Sequence, residues 1–101
     1  MLHQSYKVVL AIDQSANQVA GFISAISDGI LSAYIPLLEV LPDYQRKGIG
    51  QNLVSLMLDE LHDIYMVDLI CDENLQSYYE RFGMFKAAGM AIRNYNFQAG
   101  R

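Results

Sequence analysis

Residues 37–61, LLEVLPDYQRKGIGQNLVSLMLDEL, decide how this chain folds. An apolar strand over residues 37–41 meets Pro42, passes through a loop containing Gly48 and Gly50, and enters a helix with one apolar face. Along that helix Ile49, Leu53, Leu56, Met57 and Leu61 recur at the spacing of one face, widened by Val54 and Leu58. Gln51, Asn52, Ser55, Asp59 and Glu60 lie opposite. The apolar side needs a partner layer, and a sheet is the expected one. Strand, glycine loop and helix start together form the layout of an anion-binding site. Gly48 and Gly50 let the backbone approach a ligand and adopt dihedrals closed to other residues. The free N–H groups of the helix start and the positive end of its macrodipole favour a phosphate or pyrophosphate. Arg46 and Lys47 place two of the chain's seven basic residues at this spot, although the net charge is −4.

Working outward toward the N-terminus, residues 7–12, KVVLAI, and 18–26, QVAGFISAI, are apolar and rich in β-branched side chains. The polar turn formers DQSAN separate them, so the pair reads as a β-hairpin. Gly21 inside the second strand suggests a bulge or a close backbone approach. Asp28-Gly29 marks a further turn, and residues 30–41 form a third strand. Pro36 cannot donate a ladder hydrogen bond, which predicts an edge, bend or irregularity near it.

Toward the C-terminus, residues 66–71, MVDLIC, read as a short strand. The crossover through the central helix is long enough for a right-handed βαβ unit, which makes this strand parallel to residues 38–41. Asp72 is a suitable N-cap for a second helix, ENLQSYYERF, ended by Gly83. Leu75, Tyr78, Tyr79 and Phe82 share a broad face of it. The tail over residues 88–97 has strand character, with Met90, Ile92 and Asn94 on one side. The expected fold is therefore α/β, a mixed sheet with a central βαβ unit and two main helices. No repeat, linker or low-complexity tract divides it, so residues 1–101 read as a single domain.

Composition agrees with a folded globular domain: 52% of residues are hydrophobic and 18% charged. No apolar run approaches the roughly 20 residues that span a bilayer. The N-terminal MLHQSYK lacks the basic start and apolar stretch of a signal peptide. The single cysteine, Cys71, has no internal disulfide partner, and no Cys/His cluster has metal-ligand spacing. Cys71 reads as a small buried side chain, since neither His3 nor His62 is placed to activate it. His62 suits the C-terminal end of the central helix. A cytoplasmic, metal-free protein is the expectation. The acidic balance disfavours nucleic acid and mildly favours cationic small molecules.

The loop and its surroundings resemble the Gcn5-related N-acetyltransferase superfamily, GNAT. The family signature, Gln/Arg-x-x-Gly-x-Gly/Ala between the fourth strand and third helix, stands here as Gln45-Arg46-Lys47-Gly48-Ile49-Gly50. LEVLP precedes it, the apolar-faced helix follows, and YYERFGM, residues 78–84, is similar to the second signature. The resemblance covers roughly the last two-thirds of the chain.

What it implies is transfer of an acetyl group from acetyl-CoA to an amine by direct attack. Acetyl-CoA would be a co-substrate, with no metal required. The amides of the loop at Arg46, Lys47, Gly48, Ile49, Gly50 and Gln51, with Gln45 beside them, would cradle the pyrophosphate. The backbone of Leu38 and Val40 would pair with the pantetheine arm, in a slot opened where residues 38–41 diverge from 66–71. By the motif match Tyr79 is the general acid for the departing thiolate, and Tyr78 packs. A phenol retains its proton at neutral pH yet can give it to a basic sulfur. Glu39, the carboxylate on that strand, or an ordered water would be the base, although alternation can point Glu39 away from the slot. Asn74 matches a frequent asparagine before the second helix, at shorter spacing. Met84 stands where relatives have phenylalanine.

Relatives begin with a strand and two helices that build much of the acceptor pocket, and this chain resembles a short form that starts at their second strand. A second subunit in a homodimer, an open cleft for a large amine substrate, or a non-catalytic CoA-binding or interaction module would each accommodate that difference.

Overall fold

The computed structural model describes residues 5–97, and His3 lies outside them. The chain forms two compact units, Met1–Cys71 and Asp72–Arg101.

In the first unit the expected hairpin consists of β1 (Ser5–Asp13) and β2 (Gln18–Ser27), followed by β3 (Ser32–Val40), α1 (Ile49–Glu60) and β4 (Met66–Asp68). The sheet order is β1-β2-β3-β4, antiparallel except for the parallel β3–β4 pair. The turns form for the chemical reasons visible in their residues. Asp13 Oδ1 accepts from the Ser15 and Ala16 amides and the Ser15 hydroxyl, and Asn17 takes the left-handed conformation at φ 52°. At the second turn Asp28 Oδ1 accepts from the amides of Ile30, Leu31 and Ser32, and Gly29 has φ 78°.

The core lies between α1 and one sheet face. Ala20, Ile23 and Ala25 of β2 and Ala33 and Ile35 of β3 are buried with Leu53, Val54 and Met57 of α1 and Leu61 just beyond it. Leu56, expected on this face, is 52% exposed. At about 100° per residue it falls more than a right angle from the centre of the stripe that Leu53, Val54, Met57 and Leu61 define. Two side chains reach the C-terminal end of α1, His62 as expected and Lys7 besides. His62 Nδ1 lies 2.9 Å from the Asp59 carbonyl, and Lys7 Nζ is 3.4 Å from the Glu60 carbonyl and 3.6 Å from its carboxylate.

Both irregularities read from the sequence are present. The β1–β2 register passes from Ala11 opposite Gly21 to Ile12 opposite Val19, leaving Ala20 as an extra residue beside Gly21. Across the sheet, Ser24 pairs with Leu37 but Ile26 with Tyr34, so β3 carries one extra residue around Ile35 and Pro36. This bulge changes the phase of β3. Leu38 opposite Ile23 joins Ile35 on the helix face, whereas Glu39 opposite Phe22 joins Tyr34 and Leu37 on the other. That other face is open, with Tyr6, Val8, Leu10 and Ile12 of β1 and Ile26, Tyr34 and Leu37 all exposed.

β4 is shorter than expected, because the strand over residues 66–71 ends at Asp68. Its parallel ladder pairs Ser32, Ala33 and Tyr34 with Met66, Val67 and Asp68, and stops two residues before Pro36. A residue without an N–H and a bulge that bends the strand both act against continued pairing at that point.

The second unit departs further from expectation. In place of one helix over residues 73–82, a 3-10 turn, Glu73–Leu75, leads into a five-residue helix α2, Gln76–Glu80. Asp72 occupies the cap position without a side-chain cap hydrogen bond. Gly83, with φ 86°, closes the turn after α2 as expected. The Tyr78 ring meets Tyr79 edge-on at 5.1 Å and Phe82 at 5.5 Å, and the Arg81 guanidinium lies 4.8 Å from its centroid. Burial pushes the Tyr78 phenol up. The tail expected as a strand over residues 88–97 is irregular up to a 3-10 turn at Tyr95–Phe97, and Met90 and Ile92 are exposed. Apolar alternation makes a strand only where a ladder partner exists, and no described strand pairs with it.

Gly21 supplies a test of the packing. A Cβ built there would stand 2.7 Å from the Glu39 carbonyl oxygen and 3.2 Å from Val40 Cα, both backbone atoms of the adjacent strand. Gly21→Ala is expected to destabilise the protein by about 1–3 kcal/mol, lowering the urea midpoint at unchanged slope. A midpoint equal to wild type would contradict the close approach.

Candidate active site

The site is built where β3 passes into α1. Past Tyr34, β3 runs on to Val40 after its ladder with β4 has ended, so its β4-facing edge over residues 35–40 has no described strand beside it. Leu38 and Val40 lie on this stretch, with half-buried side chains on the helix face. Glu39 is exposed on the opposite face.

The loop that follows begins with a 3-10 turn, Pro42–Tyr44, and is tied at its stem. The Leu41 amide donates to the Ala20 carbonyl at 2.9 Å, and Gln45 Nε2 donates to the Val40 carbonyl at 3.0 Å. Arg46 takes the left-handed conformation at φ 64°, which costs a non-glycine residue about 1–2 kcal/mol. Gly48, also left-handed at φ 80° and ψ 6°, is the N-cap of α1 and makes no side-chain cap hydrogen bond. A left-handed residue followed directly by helical ones turns successive N–H groups toward a common concavity, the form that binds anions. The first helical bond donated back to the loop is Asn52 N–H to the Gly48 carbonyl. The amides of Ile49, Gly50 and Gln51 therefore precede the intrahelical ladder. With no acidic residue in the first turn of α1 and Arg46 and Lys47 exposed beside it, the helix start is electropositive.

A second anchor holds the same loop from the other side. The Tyr44 hydroxyl donates to Asp13 Oδ2 at 2.7 Å and accepts from Gln18 Nε2 at 2.6 Å. Lys47 Nζ lies over the Tyr44 ring, 5.7 Å from its centroid. The hydrogen bond from Tyr44, followed by those from Ser15 and Ala16, lowers the Asp13 carboxyl to about 2. The same bond to Asp13 raises the Tyr44 phenol.

The first unit thus brings together Leu38, Glu39, Val40 and Gln45 through Gln51. Tyr79 and Asn74 belong to the second unit: Tyr79 half-buried in α2, Asn74 exposed in the turn before it. Cys71, expected buried, is half-buried. Asp13, Gln18 and Tyr44 were not legible as a group. Asp13 and Gln18 read as turn and strand start, and nothing in their spacing points to Tyr44.

Residues 1–96 match the acetyltransferase (GNAT) domain family. The chain belongs to this family. Over 80 residues it is 34% identical to GCN5-related N-acetyltransferase 3, chloroplastic, of Arabidopsis thaliana, covering 77% of this chain and 34% of that one. Among solved structures, a protein of Deinococcus radiodurans described as an acetyltransferase superposes with TM-score 0.84 at 48% identity. That match covers 91% of this chain and 64% of the other. A GNAT family acetyltransferase of Streptococcus pneumoniae superposes with TM-score 0.74 at 33% identity, covering 86% and 70%. The chain thus spans about a third of the plant relative and under two thirds of the Deinococcus protein. The mixed α/β sheet with its two helices is the GNAT fold, and the resemblance read from residues 45–50 and 78–84 was correct. Among the described residues no helix is long and apolar enough to cross a membrane.

The Asp13 clasp gives a pH test. Its folded pKa, about 2, lies below the unfolded carboxylate value, about 3.9. Its contribution is therefore complete above the unfolded value and is lost as pH falls through about 4 toward 2. The difference in urea midpoint between wild type and Asp13→Ala should be constant near neutrality and shrink over that acid range. A difference independent of pH down to about 2 would contradict the ionised clasp.

Proposed function

We propose that this GNAT protein transfers an acetyl group from acetyl-CoA to a primary amine, of a small molecule or a protein, by direct attack in a ternary complex. The observation that carries the reading is that the free edge of β3 leads directly into an uncapped, left-handed turn at a helix start. An extended arm laid along that edge at Leu38 and Val40 ends with its phosphates at the amides of residues 46–51, where Arg46 and Lys47 supply charge. Gln45, already bonded to the Val40 carbonyl, joins edge and loop. Asn74 is assigned to the cofactor side by motif position alone.

The amine nitrogen attacks the thioester carbonyl carbon, the carbon–sulfur bond breaks, and the sulfur leaves as a thiolate. Tyr79 donates the proton that neutralises it. Glu39, or a water held near it, takes the proton from the amine. The open face on which Glu39 lies favours the water. Residues 1–101 act as one domain, the family match running through both units. The protein works as a homodimer in the cytoplasm; the exposed apolar face and the outer edge of β1, beside which no described strand lies, support the dimer.

Calorimetric titration with acetyl-CoA, followed by turnover on a panel of primary amines, tests this. Saturable binding is expected. Tyr79→Phe should bind within about twofold of wild type and turn over about a hundredfold more slowly. Absence of binding to a folded protein at millimolar ligand overturns the cofactor site, and undiminished turnover in the variant removes the acid role.

A further inference from the structure

Asp13, Gln18 and Tyr44 form a cluster at the loop to which neither the sequence motif nor the reaction assigns a role. Asp13 and Gln18 are the last cross-strand pair of the β1–β2 ladder. The Tyr44 hydroxyl sits between their side chains, 2.7 Å from one and 2.6 Å from the other. The carboxylate it meets cannot readily turn away, because Asp13 Oδ1 already accepts from Ser15 N, Ser15 Oγ and Ala16 N. The phenol is thus docked on an acceptor fixed by the sheet. From there Tyr44 reaches the loop twice: it stands two residues before left-handed Arg46, and its ring lies beneath the Lys47 ammonium.

We propose that Tyr44, clasped by Asp13 and Gln18, is a positioning residue that holds the glycine loop in its anion-binding conformation before any ligand arrives. The proposal rests on the cofactor reading above. A loop with Arg46 at φ 64° is not the arrangement a free chain prefers, so without a tether the ligand must order it on binding. The clasp moves that ordering into folding. Its effect is therefore confined to the part of the ligand that meets the loop, the pyrophosphate end.

The experiment compares acetyl-CoA with S-acetylpantetheine, which retains the thioester and arm but lacks the phosphates, by calorimetry on the whole chain. Tyr44→Phe keeps the ring under Lys47 and removes only the hydroxyl. It should weaken acetyl-CoA binding about tenfold while S-acetylpantetheine affinity stays within about twofold. Asp13→Ala leaves the Gln18 bond to Tyr44 and should weaken acetyl-CoA binding by no more than Tyr44→Phe, and the double variant should be no weaker than Tyr44→Phe, since the hydroxyl carries both bonds. Asp13→Asn keeps one acceptor oxygen for the Ser15 and Ala16 amides but turns an NH2 toward Tyr44, which cannot accept the phenol proton, so it should weaken acetyl-CoA binding as Asp13→Ala does. It also covers the case in which Asp13→Ala unfolds the hairpin turn. Acetyl-CoA affinity unchanged in Tyr44→Phe overturns the proposal, as does equal weakening toward both ligands, which would mark a general structural loss. A wild-type chain that binds neither ligand overturns the cofactor reading and this one with it. A wild type that binds while Tyr44→Phe binds as well overturns this one alone.

Discussion

The structure depends on a ladder that stops. β3 and β4 pair for three residues, and the pairing ends at Tyr34 and Asp68 although β3 continues to Val40. Had it continued, the edge of β3 would be saturated by β4 and no ligand could add to it. Two features of the chain limit it: Pro36 has no N–H to contribute, and the bulge opposite Ala25 bends the strand where the next pairs would form. The free edge is a consequence of covalent structure and register, and requires no movement to appear.

The glycine loop adds a second constraint at the end of that edge. Two left-handed residues, Arg46 and Gly48, shape a segment whose amides face outward from the start of α1. Glycine relieves the strain at one of them only. The rest is carried by contacts to the sheet: the Gln45 side-chain Nε2 on the Val40 carbonyl, the Leu41 backbone amide on the Ala20 carbonyl, and the phenol of Tyr44 on the hairpin. The helix itself is secured independently, by Leu53, Val54, Met57 and Leu61 packed on Ile23, Ala25, Ala33 and Ile35. Scaffold stability and site geometry thus draw largely on different side chains.

Much of this was legible in the residues because it is local. The hairpin, the turns at Asp13 and Asp28, the irregularities at Gly21 and Pro36, and the helix after Gly48 each follow from chemistry within a few positions. Failures occurred where the outcome depends on partners distant in sequence. Residues 69–71 look like strand, but their neighbour has already bulged away. The tail around Met90 and Ile92 has the right alternation and no ladder to join. Leu56 belongs to an apolar helix pattern wider than the surface that covers it. The Asp13–Tyr44 bond spans 31 residues and joins two types that each have an ordinary local explanation. Family resemblance supplied Tyr79 and Asn74, which no spacing rule would have singled out.

The bulge in β3 also bears on how such a domain can change over generations. Strands ordinarily tolerate substitution better than length change, because one residue gained or lost flips every side chain beyond it, and the extra residue opposite Ala25 is an exception since the bulge absorbs it. Deleting it would restore plain alternation with Leu38 and Val40 still opposite Ile23 and Gly21, whereas straightening β3 with the residue kept would bring Glu39 against α1, a carboxylate into a hydrocarbon layer. A lineage can therefore lose the extra residue and the bulge together, but it cannot keep the residue and lose the bulge.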